Sequence, residues 1–313
     1  VEIFLTIGYQ WFIFIRLVFI YILNLEMKKK LVSIIINCFN GEKYLSKTLD
    51  SVLNQKYQNY EVIFIDNCST DSSAKIFKNI KDKRFKYFKT KKKIKLYASR
   101  NFALKKTNGD YIAFLDTDDV WLPNHLENLV NLIKENDEFV YSKSLLLKNF
   151  KNKKIVKNIS LHNFKFLNTF ENAALNRDIF FGSILVNKNI IQSIMPLPMN
   201  LNHSIDDYVI LSIFNICKKK IYNTNNETFI YRIHSTNLTN FQKSLSAKES
   251  IEVLNLIEDK QNIKINDIVF KERYYKHIIL NVSKNNLINS FLMILKSGLF
   301  IFIFFFMTTI LKK

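Results

Sequence analysis

The stretch Leu31-Val-Ser-Ile-Ile-Ile-Asn-Cys-Phe-Asn-Gly-Glu42 decides the fold. It opens as a nearly continuous apolar run rich in β-branched residues, the pattern of a strand buried on both faces of a parallel sheet. A polar loop containing Gly41 ends the run, and Lys43–Asn54 then sets Leu45, Leu49, Val52 and Leu53 at helical spacing on one face. Working outward, Tyr60–Ile65 reads as a second buried strand, followed by the polar loop Asp66–Asp71. Ser69 or Thr70 would cap a helix running through Lys81. Phe85–Phe88 reads as a short third strand, Ala98–Lys106 as a helix with Gly109 just past its end, and Tyr111–Leu115 as a fourth strand. Pro123 stands at the start of the next helix. The order β-α-β-α-β-α-β predicts an α/β fold: a Rossmann-like, mostly parallel sheet flanked by helices, with right-handed crossovers.

Sheets of this kind bind ligands at the carboxyl ends of their strands. The polar groups fall there: Asn40 after the first strand, Asp66 after the second, Asp116 and Asp118 after the fourth. No G-x-G-x-x-G follows the first strand and no Walker A lysine loop exists, which excludes an ordinary dehydrogenase or P-loop enzyme. The sequence Asp116-Thr-Asp-Asp119 offers another grip on a diphosphate. Carboxylate oxygens suit a hard divalent cation, Mn²⁺ or Mg²⁺, which bridges phosphates and offsets their charge. Helix capping would account for one aspartate here, but not for three in four positions after a buried strand.

The 313 residues suffice for one large α/β domain and a helical appendage, and 48% hydrophobic content rules out global disorder. Lys and Arg exceed Asp and Glu by 19 charges, with runs at Lys28–Lys30, Lys91–Lys93 and Lys218–Lys220. No RNP-like or helix-turn-helix signature accompanies them, so nucleic acid is not an expected partner. Each run by itself reads as a solvated face. With greasy chain ends, attraction to an anionic membrane surface is the better functional reading. Three cysteines without a C-x-x-C pair fit a reducing compartment and argue against a disulfide framework or zinc site.

Residues Ile3–Leu25 are almost wholly apolar, roughly the length of a bilayer span. Residues 1–26 are therefore either a membrane helix or sequence lying upstream of a start at Met27. Gly298–Leu311 is again apolar and is expected to associate with a membrane interface. Three regions follow: the apolar segment 1–26, a main domain over 27–240 with nucleotide-binding (27–125) and acceptor (126–240) halves, and a helical region over 241–313 that ends in the second apolar segment.

The motifs Val32–Leu45, Thr48–Gln55, Val62–Asp71, Ala98–Asn101, Gly109–Asp119 and Trp121–Pro123 together resemble the family 2 glycosyltransferases of GT-A fold, densely over about 31–125 and loosely over 180–240. The resemblance implies that Phe39, Asn40 and Glu42 lie beside the nucleoside, that Asp66 holds the base and that Arg100 faces the nucleotide. It implies that Asp116 approaches the ribose or sugar, Asp118 binds the metal and Asp119 supports the loop. Ser204-Ile-Asp-Asp-Tyr208 resembles the family's Glu-Asp pair, with Asp206 in place of the Glu and Asp207 matching the catalytic base. Tyr231-Arg-Ile-His-Ser-Thr-Asn237 resembles a further motif, which would put His234 at the donor phosphates or the metal. Trp121 either stacks on a sugar or fills space beneath the loop. Two positions depart from the pattern: Asn37 stands where proline is common, and Cys68 where Gly or Ala often sits.

The function this implies is an inverting transfer from a nucleotide-diphosphate sugar, UDP-sugars first, to a lipid-linked or oligosaccharide acceptor of a surface glycan. It would take place at the cytoplasmic face of the plasma membrane. A processive synthase would need several membrane helices, and at most two apolar segments exist. The rival readings are a non-catalytic nucleotide-sugar or glycan-binding module and, on charge alone, a nucleic-acid-binding protein.

Overall fold

A computed structural model describes residues 30–133, 139–150, 153–158, 169–176, 179–201, 204–217, 221–234 and 243–273, with the single positions 16 and 237. Both apolar termini lie outside the described residues. Among those described, no helix is long and apolar enough to cross a membrane.

The first half follows the hydrophobic pattern. Strands β1 (Val32–Cys38), β2 (Tyr60–Asp66), β3 (Phe85–Lys89) and β4 (Tyr111–Phe114) alternate with helices α1 (Glu42–Leu53), α2 (Ser73–Lys78) and α3 (Leu96–Leu104). After β4 come the two-residue strand β5 (Val120–Trp121) and helix α4 (His125–Leu132). Strands β1–β4 pair with one another in parallel, in the order β3-β2-β1-β4. Because Cys38 pairs with Asp66 and Ile35 with Phe114, the strands end side by side. That register brings the loops after β1, β2 and β4 to one edge.

The second half makes the sheet mixed. Strands β6 (Phe139–Phe150), β7 (Lys153–Asn158), β8 (Ile184–Asn187) and β9 (Ile221–Ile233) join helices α5 (Phe170–Asn176), α6 (Lys188–Ser193), α7 (Ile205–Cys217), α8 (Lys243–Gln261) and α9 (267–273). Strand β8 runs antiparallel to β4 and β6, and β9 runs parallel to β6 and antiparallel to β5. The long strand β9 thereby delivers Arg232 and His234 to the loop that follows β4.

Side-chain alternation divides the core between the two faces of the sheet. Ile34, Ile36, Val62 and Phe64 pack with Leu45, Leu49 and Val52 of α1. Ile35, Ile63, Ile65 and Phe114 face the other way, toward α7 and the α8–α9 pair, where Val209, Leu211, Val253, Leu254, Ile257 and Val269 are buried.

Two local expectations differ. The second helix starts only at Ser73, without a side-chain cap, because Ser69 and Thr70 bond to the β1 loop instead. Gly109 is not a helix cap. It lies where a Cβ would stand 2.6 Å from the Ser33 backbone nitrogen, so it permits the close approach that starts β4 beside β1.

Candidate active site

The loop after β1 is stitched to the loop after β2. The Asn40 N–H donates to Ser69 Oγ at 3.1 Å, and Asn40 Oδ1 accepts from the Thr70 N–H at 2.9 Å. The Glu42 N–H donates to Asp71 at 2.9 Å, and the Glu42 carboxylate accepts from the Ser72 N–H at 2.9 Å. Asn40 and Cys68 hold φ values of 52° and 59°. Asn tolerates this left-handed region, whereas a cysteine there is strained. That strain gives a physical reason for Gly to be favoured where Cys68 stands. Phe39, 42% exposed, projects from the same rim with the Lys93 ammonium 3.5 Å above its ring.

Asp66 ends β2 fully buried. Its carboxylate accepts from the Ser69 N–H at 2.7 Å and from the Tyr87 hydroxyl. Burial, and then this hydrogen bond, push the Tyr87 hydroxyl well above its ordinary value.

The acidic loop is held from both sides. From α1, the Thr48 hydroxyl donates to the carbonyls of Thr117 and Asp119, both at 2.8 Å. From β9, the Arg232 N–H donates to Asp119 Oδ1 at 2.9 Å, and Arg232 Nε donates to the Asp118 carbonyl at 2.7 Å. Asp119 is thereby buried in a supporting position. Carboxylate oxygens of Asp116, Asp118 and Asp119 lie within 4.8 Å of one another. Three hard oxygen donors this close fit a divalent cation such as Mg²⁺ or Mn²⁺. The crowding is visible in the acidities of Asp119 and Asp116. Burial raises Asp119 first, and then the charges of Asp118 and Asp116. Asp116 is also raised, by burial and then by Asp206 and Asp118, against the pull of Arg100. Since 47% of its side chain is exposed, water screens part of that push.

His234 Nε2 lies 2.8 Å from Asp118 Oδ2. Asn237 braces the pair: its Oδ1 accepts from the His234 N–H at 2.5 Å, and its Nδ2 lies 3.4 Å from the same Asp118 oxygen. The Tyr44 ring, on α1, lies 4.8 Å from the His234 ring and 4.8 Å from the Arg232 guanidinium.

Arg100, expected to face the nucleotide, is 2% exposed. It pairs with Asp206, reaches within 3.8 Å of Asp116 and stacks on Phe181 at 4.3 Å. Asp206 and Asp207 occupy the first turn of α7 and diverge. Asp206 joins the acidic loop through Arg100, while Asp207 pairs with Arg273 of α9. Trp121 is 2% exposed, donates Nε1–H to the Gly182 carbonyl at 2.7 Å and stacks on His125. It fills space beneath the loop.

Sequence reading missed the Arg100–Asp206 link and the part played by Tyr44, although Tyr44 lies inside the quoted first motif. Arg273 carries no local signal at all, since it sits in a polar helical stretch far from any motif.

Comparison with known proteins agrees with this fold. A glucosyltransferase of Escherichia coli, the UDP-Glc:alpha-D-GlcNAc-diphosphoundecaprenol beta-1,3-glucosyltransferase WfaP, is 38% identical over 122 residues, covering 39% of this chain and 49% of that protein. An uncharacterized glycosyltransferase of Haemophilus influenzae is 46% identical over 112 residues, covering 35% of this chain and 45% of the relative. The matched stretch thus spans about half the length of these relatives. The crystal structure of S. aureus TarS 1–349 in complex with UDP-GlcNAc shares the fold, with TM-score 0.60 and 17% identity over 79% of this chain and 70% of that one. The sequence model of glycosyl transferase family 2 matches residues 33–194, just over half of the 313-residue chain, and the chain belongs to that family.

Proposed function

We propose that the protein transfers a sugar from a nucleotide-diphosphate sugar, with inversion, to a lipid-linked or oligosaccharide acceptor in surface-glycan synthesis. A UDP-sugar is the favoured donor. The observation that carries this reading is the acidic loop after β4, with Asp118 set against His234 and three aspartate carboxylates within 4.8 Å. Asp118, with Asp116, would hold a divalent cation, which supplies charge neutralisation for the diphosphate. Phe39, Asn40 and Glu42 form the rim for the nucleoside, and Asp66, at the end of β2, holds its base. Asp207, in the first turn of α7, takes the proton from the attacking hydroxyl. That oxygen bonds to the anomeric carbon, and the bond from that carbon to the diphosphate breaks. Relatives whose names specify UDP-glucose and a diphosphoundecaprenol acceptor support the donor and acceptor classes. A net charge of +19 supports work at an anionic membrane face.

One observation favours a second assignment of the base. The Asp206 side chain is 39% exposed and tied through Arg100 to the acidic loop, whereas that of Asp207 is 16% exposed. Asp206→Asn and Asp207→Asn separate the two, because the base variant loses turnover with nucleotide binding intact.

The test of the function is a titration of the full chain with UDP, GDP and dTDP, with and without Mn²⁺. UDP-glucose turnover is then measured on a synthetic GlcNAc-diphosphoundecaprenol. Metal-dependent binding of one nucleotide together with turnover supports the reading. Binding without turnover on any donor favours a binding module. A folded protein that binds no nucleotide in any metal refutes the donor site.

A further inference from the structure

The family match ends at residue 194, yet the turn that carries Asp207 is gripped from further along the chain. The Ser204 N–H, at the start of α7, donates to Glu249 Oε2 of α8 at 3.0 Å. Next to Glu249, the Ser250 carbonyl accepts from Arg273 Nη1 at 3.1 Å. The same guanidinium donates from Nη2 to the Ala174 carbonyl of α5 at 2.9 Å, and both of its terminal nitrogens face the Asp207 carboxylate. Arg273 is 2% exposed, and its Nε lies buried without a hydrogen-bond partner among the described residues. A buried guanidinium is costly unless paired, and its planar fork fixes the plane of the carboxylate it meets, as a lysine ammonium does not. Two backbone carbonyls set the fork from behind, so its orientation is determined before any substrate arrives.

We propose that Arg273 is the positioning residue for Asp207: a guanidinium from the C-terminal helical pair that holds the Asp207 carboxylate in one orientation toward the acceptor hydroxyl. This rests on the reading of Asp207 as base. The alternative is a tie that only joins α5, α7, α8 and α9.

The experiment is a double-mutant cycle on the full chain with Arg273→Lys and Asp207→Asn. UDP release from UDP-glucose gives turnover, with GlcNAc-diphosphoundecaprenol as acceptor, and UDP titration gives donor-site integrity. Arg273→Lys keeps the buried charge paired but loses the fork. It is expected to lower kcat by about ten- to a hundredfold, the cost of a misplaced catalytic group, with UDP affinity unchanged within about twofold. Asp207→Asn alone is expected to cost about a hundredfold or more. In the Asp207→Asn background, Arg273→Lys should then cost almost nothing more, because there is no carboxylate left to orient. Should Arg273→Lys not fold, Arg273→Gln carries the same comparison. If the two losses multiply, or if Arg273→Lys matches wild-type kcat while Asp207→Asn is dead, the Arg273 assignment is overturned and the base stands. If Asp207→Asn turns over normally, the base reading itself is wrong, and Arg273 is a structural tie.

Discussion

Glu61 offers a stringent test of how the parallel half is held together. Its carboxylate, 6% exposed, lies on β2 at the end of the strands opposite the site. Four donors converge on it: Ser33 Oγ of β1 at 2.6 Å, Lys86 Nζ of β3 at 2.6 Å, and Asn108 through its N–H at 2.6 Å and Nδ2 at 3.2 Å. Ser33 Oγ in turn accepts from the Gly109 N–H at 2.8 Å, so β1, β2, β3 and the start of β4 share one polar network. Burial pushes the Glu61 carboxyl up, but the hydrogen bonds from Lys86, Ser33 and Asn108 outweigh it and hold it below the ordinary value of 4.5. In Glu61→Gln one amide oxygen remains for two donors, and the amide nitrogen faces the other two. The Lys86 side chain is 40% exposed, so its share is screened to under about 1 kcal/mol. One buried charge-assisted bond lost adds about 1.5–3 kcal/mol, giving about 2–4 kcal/mol in all. At about 2 °C per kcal/mol for a chain of this size, Tm should fall by roughly 4–8 °C at pH 7, read by circular dichroism. Glu61 has a depressed folded pKa, so its contribution is complete above the unfolded value of about 4.5 and is lost as pH falls through the folded value. The gap between wild type and Glu61→Gln should therefore narrow below about pH 4.5. A gap under about 1 °C at pH 7, or one as wide at pH 3.5 as at pH 7, would refute the network's role.

Further outcomes are expected at four other positions. Asp118→Asn should weaken Mn²⁺-dependent UDP binding by about a hundredfold or more and leave metal-free binding unchanged, as read by calorimetry, because losing even a group that only orients a metal ligand costs about ten- to a hundredfold. Cys68→Gly should stay within about 1 kcal/mol of wild type, since relief at φ 59° offsets glycine's greater unfolded freedom. Cys68→Val should be at least about 1–2 kcal/mol less stable than that glycine variant in denaturant melts. Trp121→Phe should cost about 2–3 kcal/mol, because it leaves a void and strands the buried Gly182 carbonyl that Nε1 now meets at 2.7 Å. His125 is held neutral by burial, its pKa pushed down to about 3. Below pH 6.5 the unfolded chain takes a proton that the fold refuses, so stability should decline from there toward pH 3, and less steeply in His125→Phe.

The sequence by itself determined the parallel half. β1 and β2 are buried on both faces, so their apolar runs are continuous and unmistakable, and the polar residues that end them fall at the sheet edge. The acidic loop was legible for the same reason, being short, local and placed just after a buried strand. The α7 helix was also legible over its whole length, because a mean apolar composition with two aspartates in its first turn marks both its burial and its start. Strands β6 and β7 were not legible: Lys and Asn interrupt their apolar pattern, and β6 owes its place to pairing with β8 and β9. Tertiary structure alone decided which way neighbouring aspartates point. Asp206 and Asp207 are adjacent in sequence and equivalent as helix-start acids. On a helix, consecutive side chains diverge by about 100°, so one meets Arg100 of α3 and the other meets Arg273 of α9. Contacts across more than a hundred positions, such as Arg100 to Asp206 and His234 to Asp118, are fixed by strand order and helix docking. No local pattern encodes them.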